Sequence, residues 1–215
     1  MKSLFVTFEG TEGSGKSTQI KLLADRLRRT NHRVQVLREP GGTPIGEEIR
    51  HTLQHSTANH EMTPEAELLL LNASRAQLVR QVIRPALLAG DTVLCDRFYD
   101  STTAYQGFGR CLPADIVKTV IDFAVGDTRP DLTLFFQVSG EISNARLASR
   151  QATMPFVRDR MEEADRAFYE RALAGYLAIA AIEPERVRVV DAAAPLETIH
   201  EVVWCHVQSR LGQFG

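Results

Sequence analysis

The sequence has few cysteines, no surplus of basic residues and no long apolar segment. Its three cysteines, Cys95, Cys111 and Cys205, are odd in number and far apart, which argues against a secreted disulfide framework and against paired zinc ligands. Lys and Arg number 25 against 27 Asp and Glu, whereas a protein that coats nucleic acid carries a basic surplus. No apolar run approaches the roughly 20 residues that cross a bilayer. We therefore expect a cytoplasmic protein without a nucleic acid polymer or a membrane as partner.

The rest of the composition is that of a folded globular protein. Of the 215 residues, 44% are hydrophobic and 24% are charged, which is close to the average of globular domains and excludes collagen-like and disordered chains. At about 150 residues per domain the length corresponds to one or two domains, and no repeat or low-complexity linker divides it. We predict a single domain over residues 1–215, in which any anion site is formed by locally gathered basic residues.

Short β-rich segments alternate with longer segments of helical period along the chain. The predicted strands are Leu4–Phe8, Val34–Leu37, Thr92–Cys95, Asp131–Phe136 and Arg186–Val190. Apolar residues at helical spacing fill the intervals, for example from Ser17 to Arg29 and from Pro64 to Leu88. Strands joined by helices form a parallel sheet covered on both faces. We therefore predict an α/β fold of three layers with five parallel strands, whose ligands bind beyond the carboxyl ends of the strands.

A glycine-rich motif follows the first predicted strand directly. It comprises Gly10, Thr11, Glu12, Gly13, Ser14, Gly15, Lys16, Ser17 and Thr18 and fits GxxxxGK[ST] between a strand and a helix. Glycines allow backbone N–H groups to turn toward phosphates, Lys16 can reach the β- and γ-phosphates, and Ser17 can offer its hydroxyl to magnesium. A glycine-rich turn with an accidental lysine is the alternative. The motif predicts a bound nucleoside triphosphate without specifying the reaction.

Charged residues follow the third predicted strand and lie inside the long predicted helix. Asp96 suits magnesium and Arg97 suits a substrate phosphate, unless the two form only a surface ion pair. Arg75 shares a helix face with several leucines and therefore faces inward. An unpaired guanidinium there is costly, so either a bound ligand or a structural carboxylate such as Glu39 must pair with it.

Two further segments lie at the carboxyl ends of predicted strands. Residues 38–43 read Arg-Glu-Pro-Gly-Gly-Thr, and such a turn brings backbone close to whatever occupies the crevice. Residues 100–107 supply hydroxyls, an aromatic ring and an amide, groups that suit the edge of a base. Together they predict a second substrate site next to Asp96 and Arg97.

These motifs resemble those of bacterial thymidylate kinases over nearly the whole chain. The most specific matches are residues 8–18, residues 38–43, Asp96-Arg97-Phe98, Ser101-Thr102 and Ala104-Tyr105-Gln106-Gly107. The resemblance implies a P-loop kinase fold with a short lid, and a homodimer that phosphorylates dTMP to dTDP with ATP and magnesium in dTTP synthesis. The alternatives are another nucleotide or nucleoside kinase and a non-catalytic nucleotide-binding module.

The resemblance also implies roles for the matching positions. Lys16 and Arg97 would be catalytic, with Ser17 and Asp96 at the magnesium ion. The dTMP site would comprise Glu12, Arg38, Pro40, Arg50, Leu71, Arg75, Arg97, Thr102, Tyr105 and Gln106.

Within that site each group would contact a different part of dTMP. Arg97 and Arg50 would hold the phosphate, and Arg75 would bond the thymine carbonyl. Thr102 and Gln106 would complete base recognition, while Tyr105 would exclude a 2′-hydroxyl and Glu12 would stand near the 3′-hydroxyl. Relatives often carry a phenylalanine stacked on thymine where this chain has Leu71, and losing the aromatic interaction is worth about 0.5 to 1.5 kcal/mol.

A polar, basic segment from Ser149 to Arg160 predicts an irregular lid. Because the phosphate loop contains no arginine, the transition-state charge must come from elsewhere, and a lid arginine is worth about 10³ to 10⁵ in rate. We expect Arg150 or Arg158 to be catalytic and Arg146 to pack near the adenine. The alternative is that some of these arginines, Arg160 among them, only form i,i+4 pairs with nearby acids.

Overall fold

The computed structural model describes residues 3–153 and 165–212, with side chains up to residue 149 in the first range. In these residues five parallel strands form one sheet in the order β2-β3-β1-β4-β5. The strands are β1 (Leu4–Glu9), β2 (Val34–Arg38), β3 (Thr92–Asp96), β4 (Leu132–Gln137) and β5 (Val187–Asp191). The predicted α/β fold is confirmed, and every predicted strand agrees with the structure to within one residue at each end.

Helices cover both faces of the sheet. They are α1 (Lys16–Arg29), α2 (Pro44–Gln54), α3 (Pro64–Leu78), α4 (Arg84–Leu88), α5 (Tyr99–Thr102), α6 (Ala114–Val125), α7 (Gly140–Thr153), α8 (Arg166–Ile182) and α9 (Leu196–Gly212). A π-helical stretch, Val79–Ile83, joins α3 to α4, and a second one, Thr103–Gly109, continues α5. Such stretches occur often at functional sites, and the second carries Tyr105 and Gln106, two residues of the predicted dTMP site.

Short sequence signals fix where the helices near the strand ends begin. The Thr43 hydroxyl accepts a hydrogen bond from the Gly46 N–H at 3.0 Å, and the Thr63 hydroxyl accepts one from the Ala66 N–H at 3.3 Å. A proline follows each threonine at the first helical position, where its missing N–H costs nothing. These caps set the starts of α2 and α3, the helices that carry Arg50 and Arg75.

The apolar core lies on both faces of the central strands. On one face α1 and α9 pack against β1, β3, β4 and β5, and on the other face α3, α4 and α6 pack against β1 and β3. All six residues of β1 are buried, and the buried Thr7 and Thr133 hydroxyls satisfy each other at 2.7 Å. No helix in the described ranges combines the length and the apolar character needed to span a membrane.

Strand register places the predicted site residues at one edge of this sheet. Phe8 of β1 and Arg38 of β2 both align with Asp96 of β3, and the N–H of Glu39 donates to the carbonyl of Asp96 at 3.0 Å. The loops after β1, β2 and β3 therefore begin side by side. This is the edge at which parallel sheets bind their ligands.

The prediction of an irregular lid over 149–160 was wrong for its first residues. Helix α7 runs to Thr153, so residues 149–153 are helical. Alanine, arginine and glutamine in this segment are good helix formers, and Pro155 comes only after the helix ends. The remaining lid residues, 154–160, lie outside the described residues, as does the side chain of Arg150.

Candidate active site

The glycine-rich loop between β1 and α1 has the shape that the motif predicts. Gly10 and Gly13 have φ angles of 135° and 71°, which side chains rarely adopt. A Cβ at Gly10 would lie 2.5 Å from the Phe136 carbonyl oxygen, so only glycine fits there. The Lys16 ammonium crosses the loop and donates to the carbonyls of Gly10 and Thr11 at 3.0 and 2.9 Å. Burial lowers the pKa of Lys16.

Two oxygen ligands suited to magnesium lie at the start of α1 and the end of β3. The Ser17 hydroxyl donates to Asp96 Oδ2 at 2.9 Å, and Ser17 is exposed to solvent. In kinase sites Mg²⁺ takes one or two protein oxygens and completes its shell with substrate phosphates and water, so this pair fits the ion. Among the described residues, no group of three or more His, Cys, Asp or Glu side chains could hold a metal.

Arg97 joins the phosphate loop to the predicted second site. Its φ of 67° is left-handed, and its guanidinium forms an ion pair with Glu12 at 2.8 Å and donates to Ser101 Oγ at 3.2 Å. The same guanidinium lies over the Tyr105 ring, 5.2 Å from its centre. Because Asp96 and Arg97 each bond a residue of the phosphate loop, they are more than the surface ion pair left open as an alternative.

Arg75 faces inward as predicted, and the structure identifies its partner. Its side chain is 2% exposed and lies 2.7 Å from Glu39 Oε2. The guanidinium also donates hydrogen bonds to Asn72 Oδ1 and Thr102 Oγ1, each at 2.9 Å, and to the Phe98 carbonyl at 3.2 Å. The structural carboxylate is therefore present, so a base carbonyl must compete with these acceptors for the guanidinium. Burial raises the pKa of Glu39, and the charge of Arg75 opposes that rise.

Gln106, predicted to contact the base, and Tyr105, predicted to lie beside the sugar, are neighbours in the π-helical stretch after α5. Tyr105 and Gln106 are buried, and the Gln106 amide N–H donates to Glu67 Oε1 at 2.7 Å. Glu67 also bonds Arg110, at 3.0 Å between Nη2 and Oε2. Glu67 was not predicted, because an acid in the first turn of a helix is ordinarily a solvated residue that interacts favourably with the helix dipole. Leu71, one turn further along α3, is half-buried.

Two arginines converge on the turn after β2. Arg38 Nη1 and Arg50 Nη1 donate to the Pro40 carbonyl at 2.8 and 3.0 Å. Arg38 also pairs with Glu47 at 2.8 Å, and the hydrogen bonds from Gly42 N–H and Arg38 lower the pKa of that carboxyl. The turn thus brings two cations close to the Asp96 edge of the sheet.

Arg146 lies on α7 and bridges the phosphate loop and the loop after β5. Its Nη2 donates to the Ala192 carbonyl at 2.9 Å, and its Nη1 donates to the Gly13 carbonyl at 3.4 Å. On the same helix Ser143 Oγ donates to the Glu12 carbonyl at 2.6 Å. Arg146 is therefore a fixed part of the described site rather than of the lid, whereas Arg158 and Arg160 lie outside the described residues.

A buried carboxyl group at the end of β1 was not predicted. Glu9 is fully buried; its Oε1 accepts the Phe98 N–H at 2.7 Å, and its Oε2 accepts the hydroxyls of Ser101 at 2.5 Å and Tyr176 at 3.0 Å. Burial, reinforced by the charge of Asp100, raises the pKa of Glu9 from 4.5 to about 7. A glutamate at the end of an apolar strand was the only signal in the sequence.

Comparison with known proteins identifies relatives over the full chain. The sequence profile described as thymidylate kinase matches residues 8–203. A thymidylate kinase of an Exiguobacterium species is 43% identical over 215 residues, covering 100% of this chain and 99% of the relative, and one of Alcanivorax borkumensis is 47% identical over 201 residues, covering 94% of each. The crystal structure of thymidylate kinase from Ehrlichia chaffeensis superposes with a TM-score of 0.78 at 32% identity, covering 97% of this chain and 99% of that one.

Proposed function

The chain belongs to the thymidylate kinase family, and from this premise we propose how its residues carry out the family's reaction. The protein is an ATP-dependent phosphotransferase that converts dTMP to dTDP. One observation carries the assignment of the site. The 2.8 Å contact between Arg97 and Glu12 joins the loop for the donor nucleotide to the segment for the acceptor, so the two phosphate groups meet between them.

On the donor side, the phosphate loop and Lys16 bind the ATP phosphates. Residues 10–18 direct backbone N–H groups and the amino end of α1 toward them, an arrangement that favours anions. Lys16 moves from the carbonyls of Gly10 and Thr11 onto the transferring group, where its charge stabilises the transition state. Arg146, held between the Gly13 and Ala192 carbonyls, borders the adenine.

Ser17 Oγ and the Asp96 carboxylate are the groups that hold magnesium in this proposal. When bound, the ion neutralises charge on the ATP phosphates and orients them for in-line transfer. Asp96 Oδ2 accepts a hydrogen bond from the Ser17 hydroxyl at 2.9 Å, so the two oxygens already lie close together. This short distance between the start of α1 and the end of β3 supports the assignment.

On the acceptor side, Arg97 and Arg50 bind the dTMP phosphate. A guanidinium can form two parallel bonds to a phosphate, and Ser101 and Glu12 direct that of Arg97. Arg38 and Pro40 complete the turn against which Arg50 lies, and Glu12 stands near the 3′-hydroxyl. Transfer then requires alignment of two held phosphates rather than covalent help from the protein.

The base lies against α3 and the π-helical stretch. The Gln106 amide N–H donates to Glu67, so the amide oxygen of Gln106 is the group that accepts a hydrogen bond from thymine N3–H. Thr102 and Arg75, bonded to each other at 2.9 Å, contact the thymine carbonyl. Tyr105 fills the space beside the sugar 2′ position, and Leu71 packs on the base.

We further propose that residues 1–215 form one kinase domain and that 149–160 act as its lid. Arg150 or Arg158 supplies charge to the transferring phosphoryl group when the lid closes. The support is chemical, because the phosphate loop carries no arginine of its own and phosphoryl transfer gains most from such a charge. The three free cysteines agree with a reducing, cytoplasmic location.

A homodimer is the proposed assembly. Helices α3 and α6 pack together and each carries a large apolar side chain on its outer surface, with Leu69 59% and Phe123 85% exposed. Exposed apolar groups on adjacent helices suit a twofold interface. Light scattering after gel filtration tests this proposal, with Leu69→Glu expected to yield monomer and a monomeric wild-type protein contradicting it.

Kinetics of dTDP formation test the proposed site. Arg97→Ala is expected to raise KM for dTMP at least tenfold while changing KM for ATP less than twofold, because the removed charge-assisted bonds are worth roughly 1.5 to 3 kcal/mol. Arg146→Ala is expected to raise KM for ATP instead. If the wild-type protein forms no dTDP, the function is wrong. If it does but the two variants raise the same constant, the assignment of the two sides is wrong.

A further inference from the structure

A buried polar cluster lies next to Arg97, and two of its three members, Glu9 and Tyr176, have no role in the mechanism above. It consists of Glu9 at the end of β1, Ser101 on α5 and Tyr176 on α8. Glu9 Oε2 accepts both hydroxyls, at 2.5 Å from Ser101 and 3.0 Å from Tyr176, and those two hydroxyl oxygens lie 2.9 Å apart. The three side chains thus join elements that are far apart in sequence.

This cluster is costly to maintain in the core. Glu9 is fully buried, and burial raises its pKa to about 7, so its ionised form is held against a desolvation penalty. Apolar residues of similar volume commonly stabilise a core as well as or better than buried charges do. The cluster therefore contributes something besides stability.

The cluster leads to the Arg97 guanidinium. Ser101 Oγ donates a hydrogen bond to Glu9 and accepts one from Arg97 Nη1 at 3.2 Å. Glu9 also fixes the backbone next to Arg97, because its Oε1 accepts the Phe98 N–H at 2.7 Å. The Tyr176 hydroxyl is held in place by its ring, which stacks on Phe135 with centres 4.7 Å apart.

We propose that Glu9 and Tyr176 are positioning residues that hold the Ser101 hydroxyl in the orientation that directs Arg97 toward the dTMP phosphate. Glu9 accepts the hydroxyl hydrogen of Ser101, and the Tyr176 oxygen lies 2.9 Å from Ser101 Oγ, so a lone pair of Ser101 Oγ faces the guanidinium before substrate arrives. Arg97 then binds phosphate without losing rotamer freedom at that step. The inference rests on the proposed role of Arg97 in dTMP binding.

Tyr176→Phe is the test variant, because it removes one hydroxyl and keeps the ring that packs on Phe135. The loss of one hydrogen bond of the cluster is expected to raise KM and Kd for dTMP roughly 3- to 10-fold. KM for ATP should not change, and the melting temperature should fall by only about 2 to 4 °C. Tyr169→Phe is the matched control on the same helix, where the ring contacts Phe168. This control variant is expected to leave KM and Kd for dTMP within twofold of the wild-type values.

A double-mutant cycle separates positioning from a general structural role. In an Arg97→Lys background, Tyr176→Phe is expected to leave the dTMP Kd, measured by calorimetry, within twofold of that of Arg97→Lys alone. A purely structural tyrosine would weaken binding equally in both backgrounds, and that result overturns the proposal. So does an unchanged dTMP Kd for Tyr176→Phe in the wild-type background.

Two further variants extend the test along the cluster. Ser101→Ala removes the group that contacts Arg97 and is expected to raise KM for dTMP at least as much as Tyr176→Phe does. Glu9→Gln is expected to raise it by a similar factor. If wild-type protein forms dTDP and Ser101→Ala leaves KM for dTMP unchanged, the positioning role is wrong although the function stands. If wild-type protein forms no dTDP, the function itself is wrong.

Discussion

Replacing the buried Glu9 carboxyl by an amide tests how the site region responds to pH. Glu9→Gln keeps the shape of the side chain and removes its titration. In the native protein burial raises the pKa of Glu9 from 4.5 to about 7. The folded state therefore binds this proton more tightly than the unfolded state. Stability that is present in acid is lost as the pH rises from the lower value through the higher one.

The size of this effect follows from the pKa values. At about 1.4 kcal/mol per pH unit, the shift from 4.5 to about 7 corresponds to about 3 kcal/mol over the whole titration. Between pH 5 and pH 8 most of that range is crossed, so we expect about 2 to 3 kcal/mol. The free energy of unfolding of Glu9→Gln minus that of wild type should rise by this amount across the interval.

Urea unfolding at pH 5, 6, 7 and 8 measures this difference for both proteins. Other groups with raised pKa values, such as Glu39, are present in both and cancel. Ser101→Ala is the control, because it removes a hydrogen bond that lowers the pKa of Glu9 but keeps the carboxyl, so its stability should still fall over this interval. Parallel pH profiles for wild type and Glu9→Gln would refute the reasoning, whatever their vertical offset.

Three further predictions concern other parts of the structure. Glu39→Gln leaves the buried guanidinium of Arg75 without its carboxylate and is expected to lower the free energy of unfolding in urea by about 3 kcal/mol; a change within 0.5 kcal/mol contradicts the pair's importance. Leu71→Phe adds an aromatic face to the base site and should lower KM for dTMP by roughly 2- to 10-fold, and an unchanged or higher KM counts against base packing there. Arg150→Ala and Arg158→Ala should between them include one variant with kcat reduced by about 10³ or more, whereas wild-type turnover in both folded variants makes the lid assignment wrong.

The strand positions were predictable because the sheet is parallel and buried. Such strands are short apolar runs separated by helices, and the five predicted segments match the observed strands to within one residue at each end. The phosphate loop was equally predictable, since residue 10 lies so close to the Phe136 carbonyl that only glycine fits there. Local steric rules were sufficient for both features.

Pairings between distant segments were the part that the sequence could not supply. Helical spacing predicted that Arg75 faces inward. The choice between Glu39 and a ligand as its partner depended on how distant segments pack, which the sequence does not show. Glu9 and Tyr176 are 167 residues apart, and neither belongs to a sequence pattern that predicts their contact. The helical end of α7 was missed for a different reason, because its polar composition resembles that of a loop although its residues favour helix.

The central claim is that this protein transfers phosphate from ATP to dTMP in preference to related acceptors. Initial rates with dTMP, dUMP, dCMP, dGMP and thymidine, each with ATP and magnesium, measure it directly. We predict that dTDP forms and that kcat/KM for dTMP exceeds that for every other acceptor. No turnover with dTMP, or a higher kcat/KM for another acceptor, would contradict the account.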